Sequence, residues 1–471
     1  MKRLYYIILI ITLSSCKKSF LEESPSNAVD AATSIKTTND LADAVNGLYT
    51  AAKNASLFGQ YVPVLGDLLA DNAFVSSSNY GQFITQMNYT FIATSGEANG
   101  IWSQGYFTIL QANRIIHADL PDSSAVNQLK GEAYTIRALT YLTLVNYFAK
   151  PSPDSLGVPI VTIPTYLTGP YFKPARNSVA EVYERIITDL DSAYLLMSST
   201  PIAYHANNSN YIAKYAAKAI MARALLYKGD YAAARDAALT VVQNGGYTLA
   251  TSQGSFSSYW SSFSANNSKL ETIFELNNSV TSSVSGLADL YYQSGNGEML
   301  CIAELYNLFA ATDYRKTLIL NGIRKGNSQP AFVVNKYSNL LNADKDEIKI
   351  IRYAEVILTL AESYARTSNE GDALIYLNQL AKLRDPAFEG YTSSGQQLLD
   401  DILNERRKEL AFEGLRFFDL TRLHLTINRP PQPFSYPSYP VVSTDDFRRL
   451  LPIPQGERDA NPNIIQNPGY N

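Results

Sequence analysis

Residues 220–242 read IMARALLYKGDYAAARDAALTVV. Ala222, Ala234 and Ala238 recur at helical spacing, larger apolar residues fall at Leu225 and Val241, and Gly229-Asp230-Tyr231 breaks the run midway. Small residues so placed let two antiparallel helices approach closely, and the larger ones seal the pair. Residues 358–380, LTLAESYARTSNEGDALIYLNQL, match when Ala361 is laid on Ala222. Tyr364 then falls on Leu225, Ala373 on Ala234, Leu377 on Ala238 and Leu380 on Val241. The second copy lacks the turn glycine and has Asn369-Glu370-Gly371 nearby.

Working outward, residues 126–148 carry Ala133, Ala138 and Tyr141 at similar intervals. The partner helix, residues 178–197, follows an interruption containing Pro151, Pro153, Pro159, Pro164, Pro170 and Pro174. Ser178 with Glu181 three residues later predicts a capping box at its start. Further helices are expected at 37–53, with Thr38 or Asn39 as cap, at 100–118 and at 396–410. The paired units resemble tetratricopeptide (TPR) repeats. They are few, divergent and separated by long insertions: residues 245–300 are rich in Ser, Asn and Gly, and residues 429–443 in Pro and Tyr. Long loops within a compact protein are usually functional. The expected fold is mostly α, a TPR-like helix-turn-helix scaffold with irregular insertions forming the ligand-binding face.

The N-terminus gives an address. Lys2 and Arg3 precede the apolar run LYYIILII (4–11), and Leu13-Ser14-Ser15-Cys16 follows. A basic start, a short apolar core and small residues before a cut describe a secretory signal, well short of the ~20 residues a membrane span needs. Leu-Ser-Ser-Cys resembles a bacterial lipobox, in which Cys16 would be lipidated. The expected organisation is a signal peptide over 1–15, a lipidated tether over 16–34 and a single helical domain over 35–471.

Composition bounds the rest. The chain is 46% hydrophobic and 17% charged, and its formal charge of −4 becomes −6 once Lys2 and Arg3 leave. A mildly acidic chain without basic blocks argues against nucleic acid as partner. Of the two cysteines, Cys301 lies in the apolar pattern MLCIAELYNLF (299–309), read as a helix and as a buried structural thiol. The 33 tyrosines against 2 tryptophans supply rings with polar tips, suited to packing and to wet binding surfaces.

Catalytic patterns are missing: no HExxH, phosphate loop, nucleophile elbow or dinucleotide glycines. His117, His205 and His424 stand apart from one another, and His117 ends a helical run, where a contact with the helix dipole suffices. Residues 342–347 (NADKDE) resemble part of a calcium loop but lack its central glycine and distal glutamate. They read better as acids favouring the start of a helix over 348–365. The densest charged segment, residues 402–422 (ILNERRKELAFEGLRFFDLTR), sets Glu405, Glu409 and Glu413 on one stripe near Asp419, Arg406, Arg407, Arg416 and Arg422. Acids with arginine neighbours stay ionised, so this reads as a structural ion-pair network rather than an acid–base pair.

Taken in order, the pieces resemble the SusD/RagB-like outer-membrane lipoproteins. They are Phe20-Leu21-Glu22 behind Cys16; Trp102, Tyr106 and Ala112-Asn113; Glu132-Ala133, Arg137-Ala138 and Tyr141; Arg176-Asn177-Ser178; and Arg352-Tyr353-Ala354-Glu355-Val356. Glu405-Arg406, Glu409-Leu410, Glu413-Gly414, Arg416-Phe417 and Asp419-Leu420 continue the series, and Leu450-Leu451-Pro452-Ile453-Pro454, Asn461-Pro462-Asn463 and Gln466-Asn467-Pro468-Gly469-Tyr470 close it. The resemblance implies a non-enzymatic, cofactor-free binding protein on the cell exterior. It would be held in the outer membrane by Cys16 and would deliver a glycan to a SusC-like TonB-dependent transporter; RagB-like relatives handle peptides. It also implies that ligand meets residues 71–90 and 259–292. Flat sugar faces stack on rings and hydroxyls take polar partners, which selects Asn79, Tyr80, Gln82 and Phe83 from the first loop and Trp260, Tyr291 and Tyr292 from the second. Of Tyr291 and Tyr292, one is open to be core. Trp102, on an apolar helix with Tyr106 one turn on, is expected in the core. A TPR-type envelope interaction protein and a hydrolase on the same scaffold are the competing readings.

Overall fold

Helical periodicity and capping side chains build most of the molecule. The computed structural model describes residues 34–166, 171–200, 202–205, 208–261, 270–278, 286–340 and 346–470. The signal peptide, Cys16 and the tether up to residue 33 lie outside these, as do Pro170 and residues 342–345 of the acidic stretch. In chain order come α1 (Thr38–Ala52), α2 (Tyr61–Leu68), β1 (Ala73–Val75), α3 (Ile84–Met87), α4 (Gly96–Ile116), α5 (Ser124–Phe148), α6 (Val179–Leu196), α7 (Lys214–Lys228) and α8 (Tyr231–Asn244). Next are α9 (Gln253–Ser261), β2 (Thr272–Leu276), α10 (Gly286–Tyr291), β3 (Met299–Cys301), α11 (Ala303–Asn307), β4 (Ile319–Ile323), β5 (Pro330–Val334) and β6 (Ile348–Arg352). The remainder is α12 (Tyr353–Arg366), α13 (Glu370–Arg384), α14 (Gly395–Glu409), α15 (Arg416–Arg422), β7 (Ile427–Asn428), β8 (Val441–Val442) and α16 (Gln455–Ala460).

The expected helix pairs form and stack: α5 on α6, α6 on α7, α7 on α8, α8 on α12, and α12 on α13. Ala222, Ala234, Ala238, Ala361 and Ala373 are all buried between them. Gly229 takes the left-handed conformation (φ 84°) that ends α7, and Asp230 caps α8 by accepting from the Ala233 amide at 3.2 Å. In the second copy Ser368 (φ 61°) replaces the glycine and Asn369 caps α13. The capping box at Ser178 and Glu181 is present. For α1 the cap is Thr37, with Asp40 completing the box, rather than Thr38 or Asn39.

Three expectations change. The apolar run at 348–352 is strand β6, paired antiparallel with β2, and the helix begins only at Tyr353. Cys301 lies on β3, not on a helix, and is buried, which pushes its thiol above the ordinary range. Glu413 is off the helical stripe, because α14 ends at Glu409 and the chain turns through Phe412 (φ 64°) and Gly414 (φ 80°).

That turn sits backbone to backbone on α2. A Cβ on Gly66 would fall 1.9 Å from the Gly414 carbonyl oxygen, so both positions need glycine's bare Cα. Asp67 locks the contact by accepting from the Phe412 and Gly414 amides at 3.1 and 2.7 Å, and burial raises its carboxyl to about 6. The family-like polar residues inside the scaffold also tie main chain together. Arg176 donates to the carbonyls of Phe148, Leu156, Gly157 and Ile465 and to Asn467 Oδ1. Asn113 donates to Val161 O at 2.9 Å and accepts from Arg137, which pairs with buried Asp189. The insertions contribute an antiparallel sheet ordered β1-β3-β5-β4, which carries the candidate site at one end.

Candidate ligand-binding site

Three of the seven selected residues turn out to be core. Trp260 is 5% exposed and joins Phe256 and Tyr259 in a small separate cluster. Its ring lies 4.3 Å from the Lys336 ammonium and 5.1 Å from the Arg352 guanidinium. Those cations belong to the charged belt, so the indole covers an ion-pair network instead of facing ligand. Tyr291 is fully buried, stacked on Tyr337 and edge-on to Phe412. Phe83 is buried edge-on against Tyr61, at a left-handed residue (φ 56°) preceding α3. Trp102 is core as expected, with the Tyr106 ring 5.0 Å away.

The belt explains why those cations are there. Arg352 reaches Glu271 (3.1 Å), Glu409 (3.0 Å) and Glu413 (2.6 Å), and Arg384 reaches Glu271 (2.7 Å) and Glu409 (3.0 Å). Arg315 adds Glu405 and Asp313, and Lys336 adds Glu413. Burial alone would raise the Glu409 carboxyl, but Arg384, Arg352 and Arg315 hold it well below the usual carboxylate range. The network is therefore structural, although Arg315, Arg352, Arg384, Lys336 and Lys408, rather than the four expected arginines, pair with its glutamates 405, 409 and 413. Arg406 and Arg422 pair with Asp419, Arg422 also with Glu362, and Arg407 and Arg416 with Asp71.

The other four residues behave differently. Tyr80 is 67% exposed on the loop leaving β1, and its amide donates to Glu298 Oε2 at 2.7 Å. Asn79 shapes that loop rather than facing outward: its Nδ2 donates to Ser76 O and its Oδ1 accepts from the Gly81 amide, at 2.7 and 2.8 Å. Gln82 and Tyr292 are half-buried. Tyr292 follows α10, its amide closing the last turn on Ala288 O.

Around Tyr80 the structure gathers residues that sequence reasoning did not select. Glu298, just before β3, and Arg324, just after β4, are both buried under the loop. Arg324 donates to Ser78 O at 2.7 Å and to Gln293 Oε1 at 3.4 Å. The Lys325 amide also donates to Gln293, and its ammonium to Gly295 O. Burial raises the Glu298 carboxyl above its ordinary value and lowers the Arg324 guanidinium below its own. Beside them the segment at 434–436 aligns with 75–77: Ser77 N donates to Phe434 O at 2.7 Å and Tyr436 N to Val75 O at 2.8 Å. This presents Phe434, 45% exposed at φ 56°. The Pro- and Tyr-rich composition of 429–443 was the signal for it. Nothing local marked Glu298 or Arg324, which meet the loop only through the β1–β3 and β4–β5 pairings.

The site has two exposed rings, Tyr80 and Phe434, on segments whose backbones hydrogen-bond to each other, and Glu298 and Arg324 pin the Tyr80 loop. Among the described residues no group of three or more histidines, cysteines or acids is placed to hold a metal ion.

Comparison with known proteins identifies relatives of this fold. A family model described as the SusD family matches residues 313–470, and one described as "Starch-binding associating with outer membrane" matches residues 19–226. "SusD-like protein P2" of Formosa agariphila is 27% identical, with 99% of each chain covered. A crystal structure from Bacteroides vulgatus is 30% identical with a TM-score of 0.82, covering 93% of this chain and 100% of that one. A SusD superfamily protein from Bacteroides thetaiotaomicron also has a TM-score of 0.82, at 28% identity, with 92% and 100% covered. With its helix-pair scaffold and full-length likeness to these proteins, the chain belongs to the SusD/RagB family.

Proposed function

We propose that this chain binds oligosaccharide or polysaccharide at the Tyr80 face and passes it to a SusC-like TonB-dependent transporter in the outer membrane. The observation that carries the reading is the Tyr80 ring, two-thirds exposed yet held on a loop pinned by Glu298 below and Arg324 behind. An exposed ring on a fixed backbone offers a flat apolar face at little ordering cost, which suits stacking under a sugar ring. Phe434, Gln82 and Tyr292 would offer further contacts to the ligand. The starch-binding, outer-membrane description of the family model matched at 19–226 supports the same ligand class. Cys16 would carry the lipid, residues 16–34 would serve as a tether, and residues 35–471 would act as one body facing the cell exterior. No catalytic step is assigned: Arg315, Arg352 and Arg384, with Lys336 and Lys408, hold Glu405, Glu409 and Glu413 below the usual carboxylate range.

Calorimetry or affinity electrophoresis against a polysaccharide panel tests the reading. Binding should be found, and Tyr80→Ala should weaken it about tenfold, in the range of a central aromatic contact. Tight binding of peptides with no glycan bound would replace it with the RagB-like peptide role. Cys16→Ser should abolish uptake by cells while leaving binding by the purified chain intact.

A further inference from the structure

The proline-rich interruption between α5 and α6 is anchored along both of its edges. On one edge Tyr106 donates to Pro159 O at 2.8 Å, and Asn113 and Tyr141 both donate to Val161 O at 2.9 Å. On the other, Asn461 donates to Pro174 O at 2.9 Å and Asn463 to Lys173 O at 2.7 Å. Between the edges lies a cavity of about 450 Å³, which no residue of the Tyr80 site lines. That is the size of a small-ligand cleft. Tyr171 and Phe172 line it and are 67% and 54% exposed, and the half-buried Tyr106 ring lines it too. Glu457 and Lys173 supply its charges. The Glu457 side chain is half-buried and accepts one hydrogen bond, at Oε2 from buried Trp102 Nε1 at 3.2 Å. Among the described residues no base stands within 4.0 Å of its carboxylate, unlike those of Glu405, Glu409 and Glu413.

We propose that this cleft is a second glycan-binding site, separate from the Tyr80 face, with Tyr171 and Phe172 as stacking rings and Glu457 as the acceptor for sugar hydroxyls. The inference goes beyond the Tyr80 reading and takes from it only the ligand class. Three rings around one cleft offer flat faces to sugar C–H groups. A hydroxyl both donates and accepts, so sugar hydroxyls can serve the Glu457 carboxylate and the Lys173 ammonium alike. A carboxylate that lacks a base makes a charge-assisted, stronger bond to such a donor. An aliphatic side chain or an acyl chain in the cleft would instead strip water from Glu457 and give it no partner, which is costly. Because the main chain on both edges is already fixed, little ordering opposes binding. Two sites on one chain would also hold a polymer more tightly than either does alone.

The test is calorimetric stoichiometry on the purified full-length chain in detergent. The probe is an oligosaccharide cut from whichever of starch, dextran, mannan and xylan retards the chain in affinity electrophoresis. Two oligosaccharides should bind per chain. Tyr171→Ala with Phe172→Ala should leave one, Tyr80→Ala should also leave one, and the three changes together none. Glu457→Gln keeps an acceptor for Trp102, reads the same cleft without touching its rings, and should weaken the second site about tenfold. One oligosaccharide per chain, lost with Tyr80→Ala and kept by the Tyr171→Ala, Phe172→Ala chain, overturns the inference and spares the Tyr80 reading. So does a stoichiometry of two that neither this double variant nor Glu457→Gln disturbs. One oligosaccharide that ignores Tyr80→Ala and needs Tyr171 and Phe172 overturns the Tyr80 reading and supports the second site. Binding of no glycan at all ends both.

Discussion

Two of the places where the molecule buries charge treat it in opposite ways. In the belt around Arg315, Arg352 and Arg384, every acid is in ion-pair contact with at least one base. Under Tyr80, Glu298 and Arg324 are as little exposed, yet among the described residues neither forms an ion pair; Glu298 accepts from the Tyr80 amide and Arg324 donates to Ser78 O. Full pairing gives a rigid scaffold, because removing one partner strands the others in low dielectric. Main-chain partners instead fix a loop, and with it the backbone that carries the exposed ring.

Breaking the belt should have the largest effect. Arg352→Met removes the base that Glu271, Glu409 and Glu413 share, leaving a buried excess of negative charge, and should lower unfolding free energy by about 4 kcal/mol, measured by denaturant titration. Trp260→Ala comes next: its ring covers the belt, so it should cost about 3 kcal/mol of stability with no selective loss of glycan binding. A binding defect at unchanged stability would return Trp260 to the ligand face. Tyr80→Ala should do the reverse, shifting melting temperature by less than about 1 °C, as expected of an exposed side chain, while weakening binding.

Acid titration separates the two regions by sign. Against the pull of burial, Arg422, Arg406 and Arg366 hold Glu362 down to about 2, against an ordinary 4.5. Its stabilising contribution is complete above pH 4.5 and is lost as pH falls toward 2. Glu298 is raised instead, so the folded state takes up its proton more readily than the unfolded chain. It opposes folding at neutral pH, and that opposition is relieved as pH falls toward 4.5. Glu362→Gln should therefore destabilise at pH 7 and flatten the acid limb of a melting-temperature profile. Glu298→Gln, the smallest of these effects, should leave the pH 7 value unchanged or slightly raised. A Glu298→Gln loss as large as that of Glu362→Gln would make the two regions alike.

The scaffold was legible because helix pairing is written locally. Ala222 and Ala234, or Ala361 and Ala373, lie within a dozen residues of each other, and Ser178 with Glu181 announces its own helix. Burial of rings was not legible, because it is decided by distant partners. Trp260 is core through Lys336 and Arg352, and Tyr291 through Tyr337 and Phe412. The run at 348–352 went astray for a related reason: it precedes a true helix without a break, and only its pairing with β2 makes it a strand. Of the site, Tyr80 could be chosen from composition. The groups that fix it could not, since Glu298 and Arg324 arrive by strand pairing more than two hundred residues downstream.

The glycine contact between α2 and the turn at 414 has a consequence for the order of assembly. Gly66 and Asp67 complete their contacts only when residues 412–414 arrive, some 345 residues later in the chain. A polypeptide leaving a translocation channel N-terminus first can form its early helix hairpins at once, but α2 must wait for nearly the last tenth of the chain. Such distant closure carries an entropy cost that grows slowly with the loop it spans, and it slows folding. Truncation just before Gly414 should thus leave a helical, protease-sensitive chain.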